Sequence, residues 1–175
     1  MKKILLFAGS NSSKSINHRF TEYINSLMND FDKEVIKLTD YNIPMFSEDD
    51  EAEKGYSDEL RSLHKKIKES DGLVISVAEH NGNITAYFKS ILDWLSRLDR
   101  NFLDGKKMFL AGTSPGGRGG GRAIEMAGRM LPYFKGEVVA TFPFPSFQQN
   151  FTNEITNPKL KEKLIQAIKN FTQSI

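Results

Sequence analysis

The chain has 175 residues, with 24 Lys and Arg against 22 Asp and Glu, and no cysteine. The near balance of charge argues against a nucleic-acid surface, and the absence of thiols excludes disulfides, thiolate metal sites and a cysteine nucleophile. No stretch is apolar for long enough to span a bilayer, so the expectation is one domain over residues 1–175 in a reducing, cytoplasmic compartment.

Ile4–Ala8 is a short unbroken apolar run, as a strand buried on both faces requires. Met1-Lys2-Lys3 before it has a signal peptide's charge, but the run breaks at Gly9-Ser10, too early for one. A loop of small polar residues follows, Ser10 to Asn17. Ile16, Phe20, Ile24, Leu27 and Met28 then carry a helical period. A strand, a small-residue loop and a helix N-terminus make an anion site, because the first helical N–H groups have no partner and the dipole is positive there. A serine-capped turn is the plainer reading of the same residues.

Glu34–Leu38 reads as a second strand nearer a sheet edge. Thr39–Gly55, with Pro44 and the acidic run Glu48–Glu51, reads as a surface excursion or lid, its carboxylates a solvated face. A helix starts at Ser57-Asp58-Glu59 and keeps its period through Leu60, Leu63 and Ile67. Leu73–Val77 is a second buried strand. After Ala78–Asn83 comes an amphipathic helix with Ile84, Phe88, Ile91, Leu92, Trp94 and Leu95 on one side. Lys107–Ala111 is the fourth strand, and Arg122–Phe134 a helix with a wide apolar stripe. Val138–Phe142 is the fifth strand. An aromatic loop, Pro143–Phe151, leads to a last helix that Asn157-Pro158 begins. His18 reads as an exposed helix residue, His64 as structural, and Trp94 as core or interface.

Strands alternating with helices imply a doubly wound α/β fold, a parallel sheet of order 2-1-3-4-5. Ligands then sit beyond the carboxyl ends of the strands, at the switch between the first and third. Three unusual loops share that edge: Gly9–Asn17, Ala78–Asn83 and Thr113–Gly121. Six of the 13 glycines lie between Gly112 and Gly121, more than a turn requires. No G-x-x-x-x-G-K-[ST] is present for a nucleoside triphosphate, and no G-x-G-x-x-G follows the first strand. A mononucleotide with a flat ring, such as FMN, fits best.

Gly9-Ser10…Ser15-Ile16-Asn17, Glu79-His80-Asn81-Gly82…Lys89…Asp93-Trp94 and Ser114…Gly116…Gly119-Gly120 together resemble the NAD(P)H-dependent FMN reductase family of the flavodoxin superfold, which includes azobenzene, quinone and chromate reductases. The resemblance runs through nearly the whole chain. It departs at Ala78, His80 and Thr85-Ala86, where the family reads Pro, Tyr and Pro-Gly, and at Ser12, where an arginine is common. It implies FMN contacts from Ser10, Ser12, Ser15, Ile16 and Asn17 at the phosphate, from Glu79, His80, Asn81 and Gly82, largely through main chain, and from Ser114, Gly117 and Gly120 on the opposite side. It implies ping-pong chemistry: NADH or NADPH reduces the flavin, and a small acceptor then takes two electrons. The protein supplies binding and orientation, with no side-chain acid or base. Family members are commonly dimers or tetramers, so a homodimer or homotetramer is expected. A flavodoxin-like single-electron carrier and a non-catalytic FMN-binding module stay open beside the enzyme.

Overall fold

The computed structural model describes residues Met1–Ile175. In chain order the elements are β1 (Lys3–Ala8), α1 (Ile16–Ser26), β2 (Asp32–Ile36), α2 (Glu48–Lys54), α3 (Asp58–Glu69), β3 (Gly72–Ser76), β4 (Glu79–His80), β5 (Asn83–Ile84), α4 (Ala86–Leu98), β6 (Lys107–Thr113), α5 (Gly121–Met130), β7 (Glu137–Phe144), α6 (Phe147–Asn150) and α7 (Pro158–Thr172). The main sheet has the order β2-β1-β3-β6-β7 with every pair parallel. This is the expected 2-1-3-4-5 order of a flavodoxin-like fold, once the small β4–β5 hairpin is set aside.

The pleat explains why the central strands read as unbroken apolar runs. Successive side chains point to opposite faces, so each face takes every second residue. Leu5, Phe7, Leu73, Ile75, Met108 and Leu110 pack against α3, α4 and α5. Ile4, Leu6, Val74 and Phe109 pack against α1 and α7 on the other face. Both sets are buried, so no polar alternation survives in the sequence. The aromatic loop after β7 belongs to the second cluster, where Phe144, Phe147 and Phe151 lie under α1.

The Thr39–Gly55 segment is not a lid. It is a strap laid across α4. Trp94 Nε1 donates to the Pro44 carbonyl at 2.9 Å, and the Phe46 N–H donates to Ser90 Oγ at 2.7 Å. The rings of Phe46 and Tyr56 meet Trp94 edge-on, with centroids 5.0 and 6.4 Å away. The strap therefore covers α4 at Trp94, which is core. The acidic run forms the first turn of α2, capped by Ser47, where carboxylates suit the helix dipole. Glu51 also receives Arg97 Nε at 2.8 Å. His64 is structural as expected, with Nε2 at 3.0 Å from Asp99 Oδ2. His18 is half-buried rather than exposed, 3.6 Å from Glu22.

At the opposite edge of the sheet, Asp71 holds the start of β1. Its Oδ2 accepts the Lys3 N–H at 2.7 Å, and its own N–H donates to the Lys3 carbonyl at 2.7 Å. The Lys3 N–H bond keeps the Asp71 carboxyl below the usual range, burial opposes this, and Lys2 adds to the lowering. A depressed folded-state value means that the stabilisation is complete above the unfolded value of about 3.9 and is lost as pH falls through the lower folded value. Asp71→Asn keeps an acceptor but removes the titration. Urea midpoints measured below about pH 4 should fall less steeply with pH in this variant than in the native chain.

Candidate functional site

The loops after β1, β3 and β6 stand side by side on the carboxyl edge of the sheet. In the first, serines shape the backbone. Ser10 Oγ accepts the Ser12 N–H, Ser12 Oγ accepts the Lys14 N–H, and Ser15 Oγ caps α1 by accepting the His18 N–H, at 3.2, 3.2 and 3.1 Å. Each hydroxyl spends a lone pair on the loop and keeps its proton. The N–H groups of Ile16 and Asn17, in the first turn of α1, have no partner within the protein. Three hydroxyl donors and a helix N-terminus are thus free for an anion.

Asn17 has a divided role. Its side chain is buried, and every bond it makes is internal. Nδ2 donates to the Thr113 carbonyl at 3.1 Å, while Oδ1 accepts Ser76 Oγ and the Thr113 N–H, each at 2.9 Å. The amide joins α1 to the ends of β3 and β6. Only its backbone N–H faces outward as a candidate donor.

The second loop is a β-hairpin. Glu79 pairs with Ile84 and His80 with Asn83, around a two-residue turn in which Asn81 and Gly82 have φ of 53° and 76°. Positive φ at both central residues makes this the Asn-Gly turn that matches strand twist. The signal stood in the sequence as Asn81-Gly82, but the flanking strands are too short to show alternation. Glu79 points inward, its carboxylate accepting the Ala123 N–H in the first turn of α5 at 3.2 Å. Thr85, where the family has proline, caps α4 through the Phe88 N–H at 3.0 Å and donates to the Gly9 carbonyl at 2.9 Å.

Fewer glycines of the third loop are dictated by packing than their clustering suggested. A Cβ on Gly119, whose φ is 58°, would lie 2.5 Å from the Phe144 backbone, so β7 forbids a side chain there. Gly120, with φ of 78°, is buried against the backbones of Val77 and Thr113 and faces no open space. A Cβ on Gly117 would meet nothing within 4 Å, and one on Gly116 only Ser114 Oγ at 3.9 Å. Those two leave a bare wall that a flat group can approach. The loop is also held: the Ser146 and Phe147 N–H groups donate to the carbonyls of Gly116 and Ser114, both at 3.0 Å. The residues present therefore fit FMN, with uncommitted donors for a phosphate beside a side-chain-free wall for a ring. Ser114 fits as an edge residue, its Oγ donating to the Gly116 carbonyl at 3.2 Å.

Three clefts open around these loops. One of about 450 Å³ lies between the first loop and the end of β2, where Lys14, Arg19 and Lys37 gather with Glu22 and Asp40. A second, about 350 Å³, lies between Asn11, the strap residues Ile43–Met45 and His80. A third, about 520 Å³, lies beyond His80 and is floored by Ile84, Met126 and Met130. The strap's part in the second cleft was not legible in the sequence, since Met45 belongs to no periodic segment.

The sequence profile of a family described as NADPH-dependent FMN reductase matches residues 2–151. An uncharacterized protein of Mycoplasma pneumoniae is 30% identical over 129 residues, covering 70% of this chain and 74% of that protein. A quinone reductase of Escherichia coli K12 is 28% identical over 126 residues, 72% of this chain and 65% of that enzyme, just under two thirds of its length. In three dimensions, a flavoenzyme NAD(P)H:(acceptor) oxidoreductase of Paracoccus denitrificans superposes with a TM-score of 0.81 at 23% identity, covering 99% of this chain and 96% of that one.

The buried Asn17 amide gives a direct test of what holds the site together. Asn17→Ala strands the Thr113 N–H and C=O and the Ser76 hydroxyl. Chemical denaturation should show a loss of about 2–4 kcal/mol, well above the cost of an exposed Asn→Ala change.

Proposed function

The chain belongs to the NADPH-dependent FMN reductase family, and from that premise we propose how its own residues serve the reaction. The FMN phosphate lies in the first loop, held by the hydroxyls of Ser10, Ser12 and Ser15 and by the N–H groups of Ile16 and Asn17. The ring lies between the hairpin Glu79–Gly82 and the wall formed by Ser114 and Gly117. Gly120 acts indirectly, by letting the loop turn into α5. The observation that carries this reading is the set of uncommitted donors at the start of α1 beside the bare backbone at Gly116-Gly117.

When bound, FMN supplies the redox chemistry, accepting a hydride from NADH or NADPH and passing two electrons to a small acceptor in ping-pong order. The chain's part is positional. Glu79 fixes the hairpin against α5, and Thr85 fixes α4 against Gly9, so both walls keep their spacing without a bound ring. The walls carry no large aromatic side chain that would cover a flavin, which supports access by a nicotinamide at the ~3–3.5 Å that transfer needs. The acceptor belongs to the class of quinones, azo compounds, flavins or metal oxyanions.

The strap covers the Trp94 part of α4, while apolar side chains on α5 and the turn after it stay exposed. Met126 is 41% and Tyr133 72% exposed, and Met130 lies between them, partly buried. Apolar surface of this kind is an association site. We place the contact of a homodimer, or of one pair in a homotetramer, on this face. Light scattering of the FMN-loaded protein at micromolar concentration should give at least twice the monomer mass, and Met126→Asp with Tyr133→Asp should return it to monomer.

Ser15→Asp keeps the α1 cap, since Asp caps as well as Ser, but sets a carboxylate against the phosphate. FMN affinity should fall by about tenfold or more, with the unfolding midpoint of the FMN-free protein unchanged. Riboflavin should bind the native protein far more weakly than FMN; equal binding rules out the phosphate assignment. In an anaerobic titration, NADH or NADPH should bleach the bound flavin rapidly. Bleaching by dithionite alone marks an electron carrier instead.

A further inference from the structure

We propose that the cleft between the first loop and the end of β2 is an adenylate subsite, so that the chain takes flavin adenine dinucleotide (FAD) as well as FMN. The proposal rests on the flavin phosphate lying against the serines of the first loop, as argued above, and it extends that site beyond the phosphate.

The cleft is too large for a phosphate alone. Ser10, Ser12 and Ser15 line it, so the flavin phosphate falls inside it. Its volume is about 450 Å³, within the ~300–1,000 Å³ range of whole small-molecule sites. The space left over runs toward β2. Phe7 is level with Ile36 in the parallel ladder, so Lys37, Thr39 and Asp40 follow β2 on the edge where Ser10 to Ser15 follow β1. In doubly wound folds a dinucleotide lays its pyrophosphate on the start of the first helix, and a carboxylate further along the chain takes its ribose hydroxyls.

The cleft also has charges that a single phosphate does not use. The hydroxyls of Ser10, Ser12 and Ser15 and the N–H groups of Ile16 and Asn17 already offer at least one donor to each outer oxygen of one phosphate. Of the charged lining residues, Arg19 is committed elsewhere. Its Nη2 donates to the Thr152 carbonyl at 3.1 Å, and its guanidinium lies over the Phe147 ring, 5.2 Å from the centroid. Glu22 is 3.6 Å from His18 Nε2. Lys14, Lys37, Thr39 and Asp40 remain, all exposed and with no side-chain partner within the protein. A carboxylate beside an anion site repels a lone phosphate. Its presence is accounted for when ribose hydroxyls donate to it, while Lys14 and Lys37 face a second phosphoryl group. Ala8 and Leu38 are the apolar residues of the lining. The grip therefore falls on the diphosphate and the ribose rather than on the base.

The test is calorimetric titration of the flavin-free chain with FAD and with FMN in parallel. FAD should bind more tightly, by about tenfold. Asp40→Ala should weaken FAD by about fivefold or more, while FMN binds as well as before or better, because the carboxylate that repels its phosphate is gone. The Asp40 side chain is exposed and its backbone N–H keeps its bond to the Lys37 carbonyl, so the variant folds. FAD that binds no more tightly than FMN overturns the proposal, and so does an Asp40→Ala change that shifts both ligands alike. A chain that binds neither flavin, or that binds riboflavin as well as FMN, refutes the underlying phosphate assignment instead.

Discussion

The site depends on one buried amide. Asn17 sits in the first turn of α1, and its side chain binds the last residue of β6 twice and the last residue of β3 once. Those are the strand ends from which the second and third loops depart. The amide carries its donor and acceptor side by side in one plane, so it can satisfy both a carbonyl and an N–H of the same residue. No hydroxyl or apolar residue of similar size can do this. The start of α1, and with it the outward N–H groups, is thereby placed relative to β3 and β6.

Two further bonds complete the arrangement. Glu79 ties the hairpin to the first turn of α5, and Thr85 ties the start of α4 to Gly9. Each joins a side chain to backbone across two of the three loops. Loops held in this way keep their spacing when nothing is bound, so little binding energy is lost to ordering them. Thr85 also gives a physical account of one departure from the family pattern. Proline at that position would start the helix by its fixed φ, whereas threonine starts it by capping and adds the tie to Gly9. Gly9 itself is constrained from the same side, because a Cβ there would lie 2.7 Å from the Phe88 ring.

The parts of the fold that were legible in the sequence are those with a strong period or a strong terminator. β1, β3 and β6 show as apolar runs because both faces are buried, and α7 shows through Asn157-Pro158, whose side chain caps two N–H groups. The first loop was legible as a serine-capped strand-to-helix turn, and the structure shows its hydroxyls shaping that turn. What the sequence hid was tertiary. Trp94 reads as core or interface, and nothing in Thr39–Tyr56 says that Phe46 and Tyr56 cover it. The Asn17 amide reads as a ligand group because its partner, Thr113, is 96 residues away. The glycine cluster overstated its case, since packing demands Gly119 while Gly117 faces open space.

The strap changes how the site divides its work. Doubly wound folds place ligands at the strand ends, and the loops there must both hold a cofactor and admit a substrate. In this chain the charged and the apolar surfaces at that edge come from different segments. Backbone groups and serines of the first loop, tied down by Asn17, carry the uncommitted donors, beside a cleft lined by Lys14, Arg19 and Lys37 with Glu22 and Asp40. The apolar wall comes instead from the segment after β2, which is anchored to α4 and makes no bond to Ser10, Ser12 or Ser15. The strap can therefore vary in length and composition without disturbing the Asn17 amide or the start of α1. Separation of this kind lets one fold retain the geometry of its first loop while a neighbouring segment changes.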